Sequence, residues 1–464
     1  MQYTNYDLQD TIVALATPPG VGAIGVIRLS GKNAIDIANS VFYGKDLTQQ
    51  ASHTIHLGTV RTDKQQIIDE ILMSLFVAPK SYTKENVVEV SCHGSNYIIQ
   101  QLIELFIEKG ARMAQPGEFT MRAFLNGQMD LSQAEAVADL IAANSASAHN
   151  LAMRQMRGGF SDEIQKLRQK LLDFASLIEL ELDFSEEDVE FADRTELKEL
   201  VQNIQSLIRS LIHSFQLGNV LKKGVNTVIA GRPNAGKSTL LNALLQEERA
   251  IVSDIAGTTR DTIEEVLNIQ GVEFRLIDTA GIRDAQDQIE AVGVEKTLEK
   301  VQQSAILLYV FDAIKLPPEE VHQDLQKLRQ PNQAVLLVPN KMDLNPYLRP
   351  DEYVSDIVPA QNIVTASALN QMNIGYLKEK LYETVITEQV NLDNPIVSNT
   401  RHLAALQNAN QSLTEVLNGM EMGVTSDFVA MDIRRALYFL GEIVGEVSTD
   451  DLLGNIFSNF CIGK

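Results

Sequence analysis

The feature that most constrains this chain is a glycine-rich loop, G-R-P-N-A-G-K-S at residues 231–238, set between two apolar runs. The β-branched run at 227–230 predicts a strand, and the apolar run at 240–245 predicts a helix. In that setting the loop turns backbone N–H groups onto phosphate oxygens, and the helix N-terminus favours the anion. Lys237 places a positive charge on the β- and γ-phosphates, and Ser238 offers a hydroxyl to Mg²⁺. The pattern therefore predicts a nucleoside-triphosphate site.

Three further motifs follow in the order expected of a GTPase, each at the end of a predicted strand. D-T-A-G begins at Asp278, where an acid can hold the Mg²⁺ shell and a glycine N–H can approach the γ-phosphate. N-K-M-D ends at Asp343, whose carboxylate can accept two hydrogen bonds from guanine but not from adenine. S-A-L begins at Ser367, where a backbone N–H can reach the guanine carbonyl. Together the four motifs predict a GTPase. The predicted nucleotide contacts in them are Asn234, Ala235, Gly236, Lys237, Ser238, Thr239, Asp278, Thr279, Ala280, Gly281, Asn340, Lys341, Met342, Asp343, Ser367, Ala368 and Leu369.

Composition limits the environment and the partners. The 464 residues carry a formal net charge of −22, which argues against non-specific adhesion to nucleic acid or anionic membrane. Any RNA contact must then be local or be supplied by a basic partner, and no DNA partner is expected. Two cysteines, Cys92 and Cys461, do not make a disulfide scaffold, so a cytoplasmic protein is expected. The start of the chain lacks a signal-peptide pattern, and no apolar run approaches 18 residues, so no membrane span is expected.

Changes in periodicity divide the chain into an α/β multidomain protein. Residues 1–125 predict a mixed α+β domain of short strands and helices, whereas 126–222 and 388–464 predict long helices. Residues 223–387 hold the nucleotide motifs and predict a doubly wound sheet. Because neither helical block closes a bundle alone, we expect one all-α domain with the GTPase domain inserted into it. The apolar stripes that predict the helices are Ile164, Leu167, Leu171, Phe174 and Ile178; Leu197, Val201, Ile204, Ile208 and Leu211; and Leu403, Leu406, Leu413 and Leu417.

Three features remain open on pattern alone. Arg28 and Glu89 lie in predicted strands, where each is either a solvated side chain or part of a pocket. The acidic run at 179–190 is either a solvated helix end or a site for Mg²⁺ or a partner. Cys461 follows an apolar aromatic segment; it is a poor prenylation signal, and it is either inert or docked into a pocket.

Longer stretches resemble the MnmE (TrmE) family of tRNA-modification GTPases, among the TrmE–Era-like GTPases. The resemblance covers residues from about 10 to 464. Its motifs are D-T-I at 10–12, A-T-P-P-G at 16–20, P-G-E-F-T at 116–120, R-A-F-L-N-G at 122–127, D-L at 130–131, Q-A-E-A at 133–136, D-I-A-G-T-T-R-D at 254–261 and C-I-G-K at 461–464. The resemblance implies a folate-binding N-terminal domain that dimerises, a helical domain and an inserted Ras-like G domain.

The resemblance also implies a reaction and its partners. With an FAD-containing protein (MnmG, or GidA), in a heterotetramer, the family installs an aminomethyl or carboxymethylaminomethyl group on C5 of the wobble uridine of certain tRNAs. The one-carbon unit comes from a 5-formyl- or methylene-tetrahydrofolate. Arg28, Glu89 and Lys464 match the folate contacts of the family, and Gln128 stands where a lysine contact is expected. Cys461 matches the tail cysteine, whose catalytic role is left open.

The resemblance also implies roles for residues in the phosphate loop and in the region that follows it. Asn234 matches a residue that binds K⁺, together with main-chain oxygens around Ser253 and Ile255 and with Thr258, so that the cation replaces an arginine finger. Ser238 and Thr259 match the two hydroxyls that bind Mg²⁺. A Ras-type glutamine is missing, because Ile282 stands in its place. The further candidates implied are Glu290, as the carboxylate that orients the attacking water, and the nucleotide contacts Ser253, Asp254, Ile255, Ala256, Gly257, Thr258 and Thr259.

A function of another class is a non-catalytic, GTP-dependent switch in RNA or ribosome assembly, for which folate is irrelevant. Switches of that kind usually carry a basic RNA-binding module, and a net charge of −22 without a basic tail argues against one.

Overall fold

The computed structural model describes residues 10–183, 194–246, 264–278, 304–331, 333–386 and 395–463. The chain forms two compact units, one from Met1–Ile141, Arg154–Gln205 and Ala405–Lys464 and the other from Ala142–Met153 and Ser206–Ala404. The strands are β1 (Ile12–Leu15), β2 (Ile24–Ser30), β3 (Phe42–Tyr43), β4 (Thr54–Arg61), β5 (Ile67–Phe76), β6 (Val87–His93), β7 (Arg112–Met113), β8 (Val225–Ala230), β9 (Glu264–Ile269), β10 (Val272–Asp278), β11 (Ile306–Asp312) and β12 (Ala334–Asn340).

Helices make up most of the remaining described residues. They are α1 (Ala34–Val41), α2 (Asn96–Glu108), α3 (Glu118–Leu125), α4 (Leu131–Ala142), α5 (Ala146–Met156), α6 (Gly159–Asp183), α7 (Arg194–Lys223), α8 (Lys237–Leu245), α9 (Pro318–Leu328), α10 (Ile374–Val385), α11 (Thr400–Met422), α12 (Ser426–Val444) and α13 (Asp450–Phe457). Within the described ranges, none of them is long and apolar enough to cross a membrane.

The first unit contains a seven-stranded sheet in the order β3-β4-β5-β6-β2-β1-β7, antiparallel except for the β1–β7 pair. Alternate side chains of its strands pack against α1 and α2 to form the core. The opposite face carries exposed apolar side chains, with Ile24 at 67%, Leu57 at 65% and Leu72 at 42% exposure. Since side chains alternate between faces, the register places Arg28 and Glu89 on this second face.

The helices before and after the GTPase motifs pack together in the first unit. The stripes predicted for α6 and α7 are buried, apart from Phe174, which is half-buried. In α11 the predicted stripe is partly wrong, since Leu403 and Leu417 are only half-buried. The buried line there runs through Ala405, Leu406, Ala409, Leu413 and Val416.

The acidic run at 179–190 is described only at its start. Glu179 accepts hydrogen bonds from Arg434 of α12, with an Nε–Oε1 distance of 2.8 Å. This contact supports a helix-packing role for Glu179. The side chains of residues 180–190 lie outside the described residues, and the alternative of a metal or partner site there stays open.

The second unit contains a five-stranded sheet in the order β12-β11-β8-β10-β9, in which only β9 is antiparallel. Helices α8 and α10 cover one face, and α9 covers the other. This doubly wound sheet confirms the predicted fold class, and it gathers the carboxyl ends of the parallel strands along one edge. Leu221 of α7 lies in the same core as Val225, so the unit extends beyond residues 223–387. The expected boundaries of 1–125, 126–222, 223–387 and 388–464 stay predictions.

Candidate functional site

The phosphate loop joins β8 to α8, and two of its glycines are required by close backbone approaches. Gly231 has φ 153°, and a Cβ there would lie 2.0 Å from the carbonyl oxygen of Val310. Gly236 has φ 92°, and its Cβ would lie 2.3 Å from Nδ2 of Asn340. Both conformations are left-handed, which glycine adopts without cost. The helix begins at Lys237, immediately after the second glycine.

Side chains of the first turn of α8 line the loop. The Lys237 ammonium donates to the carbonyl oxygens of Gly231 at 3.0 Å and of Arg232 at 3.3 Å, so the loop folds around it. Ser238 and Thr239 are exposed at the helix start. The loop therefore offers a cation, hydroxyls and helix N–H groups to a single anionic ligand.

The buried side chain of Asn340, at the end of β12, joins two motifs. Its Nδ2 donates to the carbonyl of Ala235 at 2.9 Å, and its Oδ1 accepts from the N–H of Ala368 at 3.0 Å. The side chain is 2% exposed, so both bonds are shielded from water. One amide thus fixes the phosphate loop relative to the segment predicted to contact guanine.

Lys341 adds a second connection from the same strand end. Its ammonium donates to the carbonyl of Asn234 at 2.9 Å and to Oδ2 of Asp312 at 2.8 Å. Burial would raise the pKa of the Asp312 carboxyl, but the hydrogen bonds from Lys341 and from the Ile314 amide hold it below its ordinary value. Asp312, which the sequence did not single out, is therefore an anion at neutral pH that orients the lysine.

The predicted guanine contacts lie together at the edge of the sheet. The N–H of Met342 donates to the carbonyl of Ala366 at 3.1 Å, which joins the β12 end to the 367–369 segment. Ser367 is buried at 1% exposure, whereas Asp343 and Leu369 are exposed. The Asp343 carboxylate is thus open to the two donors of a guanine base.

Arg232 forms a network that sequence reasoning missed. Its Nε donates to Oδ2 of Asp324 at 2.7 Å, and its guanidinium also pairs with Glu320. The buried Tyr309 donates to the same Asp324 oxygen at 2.6 Å. These bonds fasten the outer side of the phosphate loop to α9, beside a cavity of about 240 Å³. In the sequence, the signal for this network is that Glu320 and Asp324 are four residues apart, a spacing that places them on one face of a helix.

Several predicted site residues cannot be placed. Asp278 ends β10, and its side chain is outside the described residues, as are all atoms of the others. These others are Ser253, Asp254, Ile255, Ala256, Gly257, Thr258, Thr259, Thr279, Ala280, Gly281, Glu290 and Lys464.

In the first unit, Arg28 and Glu89 face each other across the β2–β6 pair. Arg28 Nε donates to Glu89 Oε1 at 2.9 Å, and the side chains are 20% and 29% exposed. The Arg28 guanidinium also lies 5.4 Å from the ring centre of Tyr82 and 5.7 Å from that of Phe119. The two residues therefore form a partly exposed ion pair next to two aromatic rings, which we call the Arg28–Glu89 recess, and the choice between a solvated and a pocket role stays open.

The C-terminal segment docks beside this recess. The N–H of Gly117 donates to the carbonyl of Cys461 at 3.3 Å, and Ile462 bridges to Pro116. Gly463 is buried with φ 97°, and a Cβ there would lie 2.2 Å from the Leu15 carbonyl. Leu15 follows the residue that pairs with Arg28 in the sheet.

Docking of the tail depends on two aromatic anchors. Phe457 and Phe460 are buried in a cluster with Met121, Leu131 and Leu453. The Cys461 thiol itself is exposed. Gln128, beyond the end of α3, is also exposed, with its N–H bonded to the Ala123 carbonyl at 2.8 Å. The segment is thus docked, while the cysteine side chain stays exposed, and the choice between an inert and a functional Cys461 stays open.

Comparison with known proteins gives the family. The model of the MnmE helical domain matches residues 131–461, and the model of the GTP-binding protein TrmE N-terminus matches residues 11–128. The tRNA modification GTPase MnmE of Cytophaga hutchinsonii is 54% identical over 98% of both chains. The protein of that name in Flavobacterium psychrophilum is 53% identical over 98% of this chain and 99% of its own.

A solved structure of Aquifex aeolicus Era bound to GDP and AlF₄⁻ aligns with 40% of this chain and 66% of that chain, with 28% identity and a TM-score of 0.27. The family follows from the family models and the near full-length relatives. The chain belongs to the MnmE family of tRNA modification GTPases.

Proposed function

We propose that this chain is a K⁺-stimulated GTP hydrolase that modifies the wobble uridine of tRNA together with an FAD-dependent partner of the MnmG (GidA) kind. The modification adds an aminomethyl or carboxymethylaminomethyl group to C5, with a one-carbon tetrahydrofolate as donor. The observation that carries the proposal is the docking of residues 461–463 beside the Arg28–Glu89 pair, because a simple GTP switch has no need of that recess. The GTPase unit supplies the site for GTP.

In this proposal the phosphate loop holds GTP through its amides and Lys237. The Ser238 hydroxyl and the Asp278 carboxylate are oxygen donors, which is the ligand type that Mg²⁺ prefers, so they fit this ion. Asp343 selects guanine, and Asn340 keeps base and phosphate segments in register. Such positioning is the main contribution that a protein makes to phosphoryl transfer.

Asn234 is the proposed K⁺ residue. It is exposed with φ 61°, and no hydrogen bond of its carboxamide occurs in the described part of the chain. When bound, K⁺ supplies positive charge next to the phosphates as charge develops there. Ser253, Ile255 and Thr258 are the proposed companions, with Glu290 orienting the attacking water.

The first test is steady-state GTP hydrolysis in KCl and in NaCl at equal ionic strength. We expect a large K⁺ preference that is lost in Asn234→Ala and kept in Asn345→Ala, whose amide donates to the Ala313 carbonyl elsewhere in the unit. We further propose that GTP-driven dimerisation of two G domains gates the modification. Equal rates in the two salts would remove both the K⁺ site and this dimer-activated mechanism. Glu290→Ala should abolish hydrolysis while nucleotide binding persists; turnover in this variant would show that the assignment is wrong.

The Arg28–Glu89 recess is the proposed folate site. A carboxylate such as Glu89, whose side chain is 29% exposed, can accept two hydrogen bonds from the amino and ring N–H groups of a pteridine, while Tyr82 and Phe119 hold the Arg28 guanidinium beside it. Removal of residues 461–464 should weaken binding of 5-formyltetrahydrofolate and leave GTP hydrolysis unchanged. Unaltered folate affinity would exclude a tail contact.

The uncovered sheet face is the proposed homodimer contact. Ile24, Leu57 and Leu72 form an exposed apolar surface beside the recess, and contiguous surfaces of this kind mark protein contacts. Leu72→Asp should therefore shift the sedimenting species to a monomer at the same concentration. A dimer that persists in this variant would place the contact elsewhere.

The arginines of the helical region argue for a basic partner in tRNA binding. Arg434 pairs with Glu179 and Arg435 with Glu415, so their charges are neutralised within the chain. We propose that tRNA is bound by a heterotetramer with the FAD protein. The alternative, a non-catalytic GTP-dependent assembly switch, predicts no folate binding by the full chain, and a calorimetric titration with 5-formyltetrahydrofolate separates the two.

A further inference from the structure

Lys84 adopts a backbone conformation that a lysine rarely takes. Its φ is 59°, in the left-handed region that favours glycine. Its ammonium donates to the carbonyl of Gly127 at 2.6 Å, across 43 residues of sequence. The unusual backbone conformation of Lys84 thus goes together with an ammonium group that is held at the turn after α3.

The segment that carries Lys84 leads directly out of the Arg28–Glu89 recess. Tyr82 lies against the Arg28 guanidinium, and its hydroxyl is 2.9 Å from that of Thr120 on α3. The carbonyl of Thr83 accepts from Asn126 Nδ2 at 2.7 Å, and Lys84 then reaches the next residue. Residues 82–84 thus run alongside α3 from the recess to its far end. Seven residues of helix span roughly 10 Å, so Lys84 lies about that far from the contact between Tyr82 and Thr120, at a position that we call the rim of the recess.

Lys84 is a cation available to a ligand. In the described part of the chain its ammonium forms no ion pair. The carboxylate of its neighbour Glu85 is already engaged by Ser30 and Arg122. Gln128, on the far side of Gly127, is neutral although the family resemblance leads us to expect a lysine there. Lys84 therefore supplies a positive charge at the rim, from the side of the 126–128 turn opposite to Gln128.

We propose that Lys84 binds the carboxylates of the glutamyl tail of a reduced folate whose ring occupies the Arg28–Glu89 recess. The inference rests on the proposed folate function and assigns a specificity residue to it. The Lys84 ammonium is held at the end of the recess by the Gly127 carbonyl, which suits a ligand with a planar head and an anionic tail. It also explains how a neutral residue is tolerated at Gln128.

The test compares two ligands on the full chain. 5-Formyltetrahydrofolate carries the glutamyl tail, and a tetrahydropterin without the benzoyl-glutamate carries only the ring. Lys84→Gly removes the charge and fits φ 59° without strain, so the variant should fold. We expect its Kd for the folate to rise about fivefold, the range of a partly exposed charge contact, and its Kd for the pterin to stay unchanged. Adding Gln128→Lys should restore folate affinity.

Lys64→Gly, at an exposed lysine in the β4–β5 turn, is the matched control and should bind both ligands like the wild type. Unchanged folate affinity in Lys84→Gly, with a wild type that binds, would overturn the inference and leave the folate function standing. Equal losses for folate and pterin would also overturn it, since the contact would not be with the tail. A wild type that binds neither ligand would refute the folate function and this inference together.

Discussion

Replacing Gly463 by alanine tests whether the docked tail is held as the structure shows. The new Cβ would lie 2.2 Å from the Leu15 carbonyl oxygen, and its neighbour there is backbone, which cannot rotate away. A left-handed φ of 97° costs a non-glycine residue a further 1–2 kcal/mol, roughly. Against this, the Gly117–Cys461 hydrogen bond of 3.3 Å, which is part of the Pro116–Ile462 bridge, contributes about 0.5–1.5 kcal/mol. We therefore expect residues 461–463 to detach.

Gly110 provides a matched control, because it has φ 103° and nothing within 4 Å of an added Cβ. Gly110→Ala introduces a similar backbone strain away from the tail, between α2 and β7, so it controls for a general loss of stability. In Gly463→Ala the buried anchors Phe457 and Phe460 remain in place, so global stability should fall little.

The measurement is trimming of the C-terminus by a carboxypeptidase, followed by mass spectrometry of the intact chain. Loss of a contact worth about 1.4 kcal/mol exposes the tail about ten times more often, so trimming should be about tenfold faster in Gly463→Ala than in Gly110→Ala. Equal trimming rates would refute the docking geometry. Folate affinity should fall in parallel if the tail completes the proposed site.

Three further outcomes follow from individual contacts. Asn340→Ala leaves two buried backbone groups without partners, each at a cost of about 1–3 kcal/mol. The nucleotide Kd should therefore rise at least about tenfold. Asn362→Ala, which removes one hydrogen bond to the same strand, should leave the nucleotide Kd unchanged. Burial would raise the pKa of Glu118, but its arginine partners hold it below its ordinary value, so its stabilisation is present above the unfolded pKa and is lost as pH falls through the folded one. Glu118→Gln should therefore flatten the loss of stability below about pH 4.5, and an unchanged acid transition would contradict this. Maleimide should label the exposed Cys461 and spare Cys92, which is buried with a pKa raised to about 11; label on Cys92 in the folded chain would count against that burial.

The nucleotide loops were predictable from the sequence because their physics is local. A loop that brings backbone N–H groups to phosphates needs glycine where the chain approaches itself, and Gly231 and Gly236 show that requirement directly. The doubly wound sheet was likewise predictable from strand-like runs that end in polar motifs. What the motifs could not show is that Asn340 joins two of them, because that depends on the packing of β12 against the loop.

Contacts between distant segments were not predictable. Arg232 meets its two acids 88 and 92 residues away, and no periodicity reports such a pairing. The pairing of Arg28 with Glu89 depends on the β2–β6 register, which a sequence does not contain. In α11 the stripe predicted from leucines included the half-buried Leu403 and Leu417, whereas the buried Ala405 and Ala409 were not predicted.

The contact between Gly463 and Leu15 joins positions at opposite ends of the sequence. During synthesis, β1 leaves the ribosome long before residues 461–463 exist, and at roughly 5–20 residues per second the delay is on the order of 20–90 s. Through that interval no residue of the tail lies against the Leu15 carbonyl. The contact between the tail and Leu15 therefore forms only after residues 461–463 have been made, and a chain that stops before them carries the seven-stranded sheet without this contact.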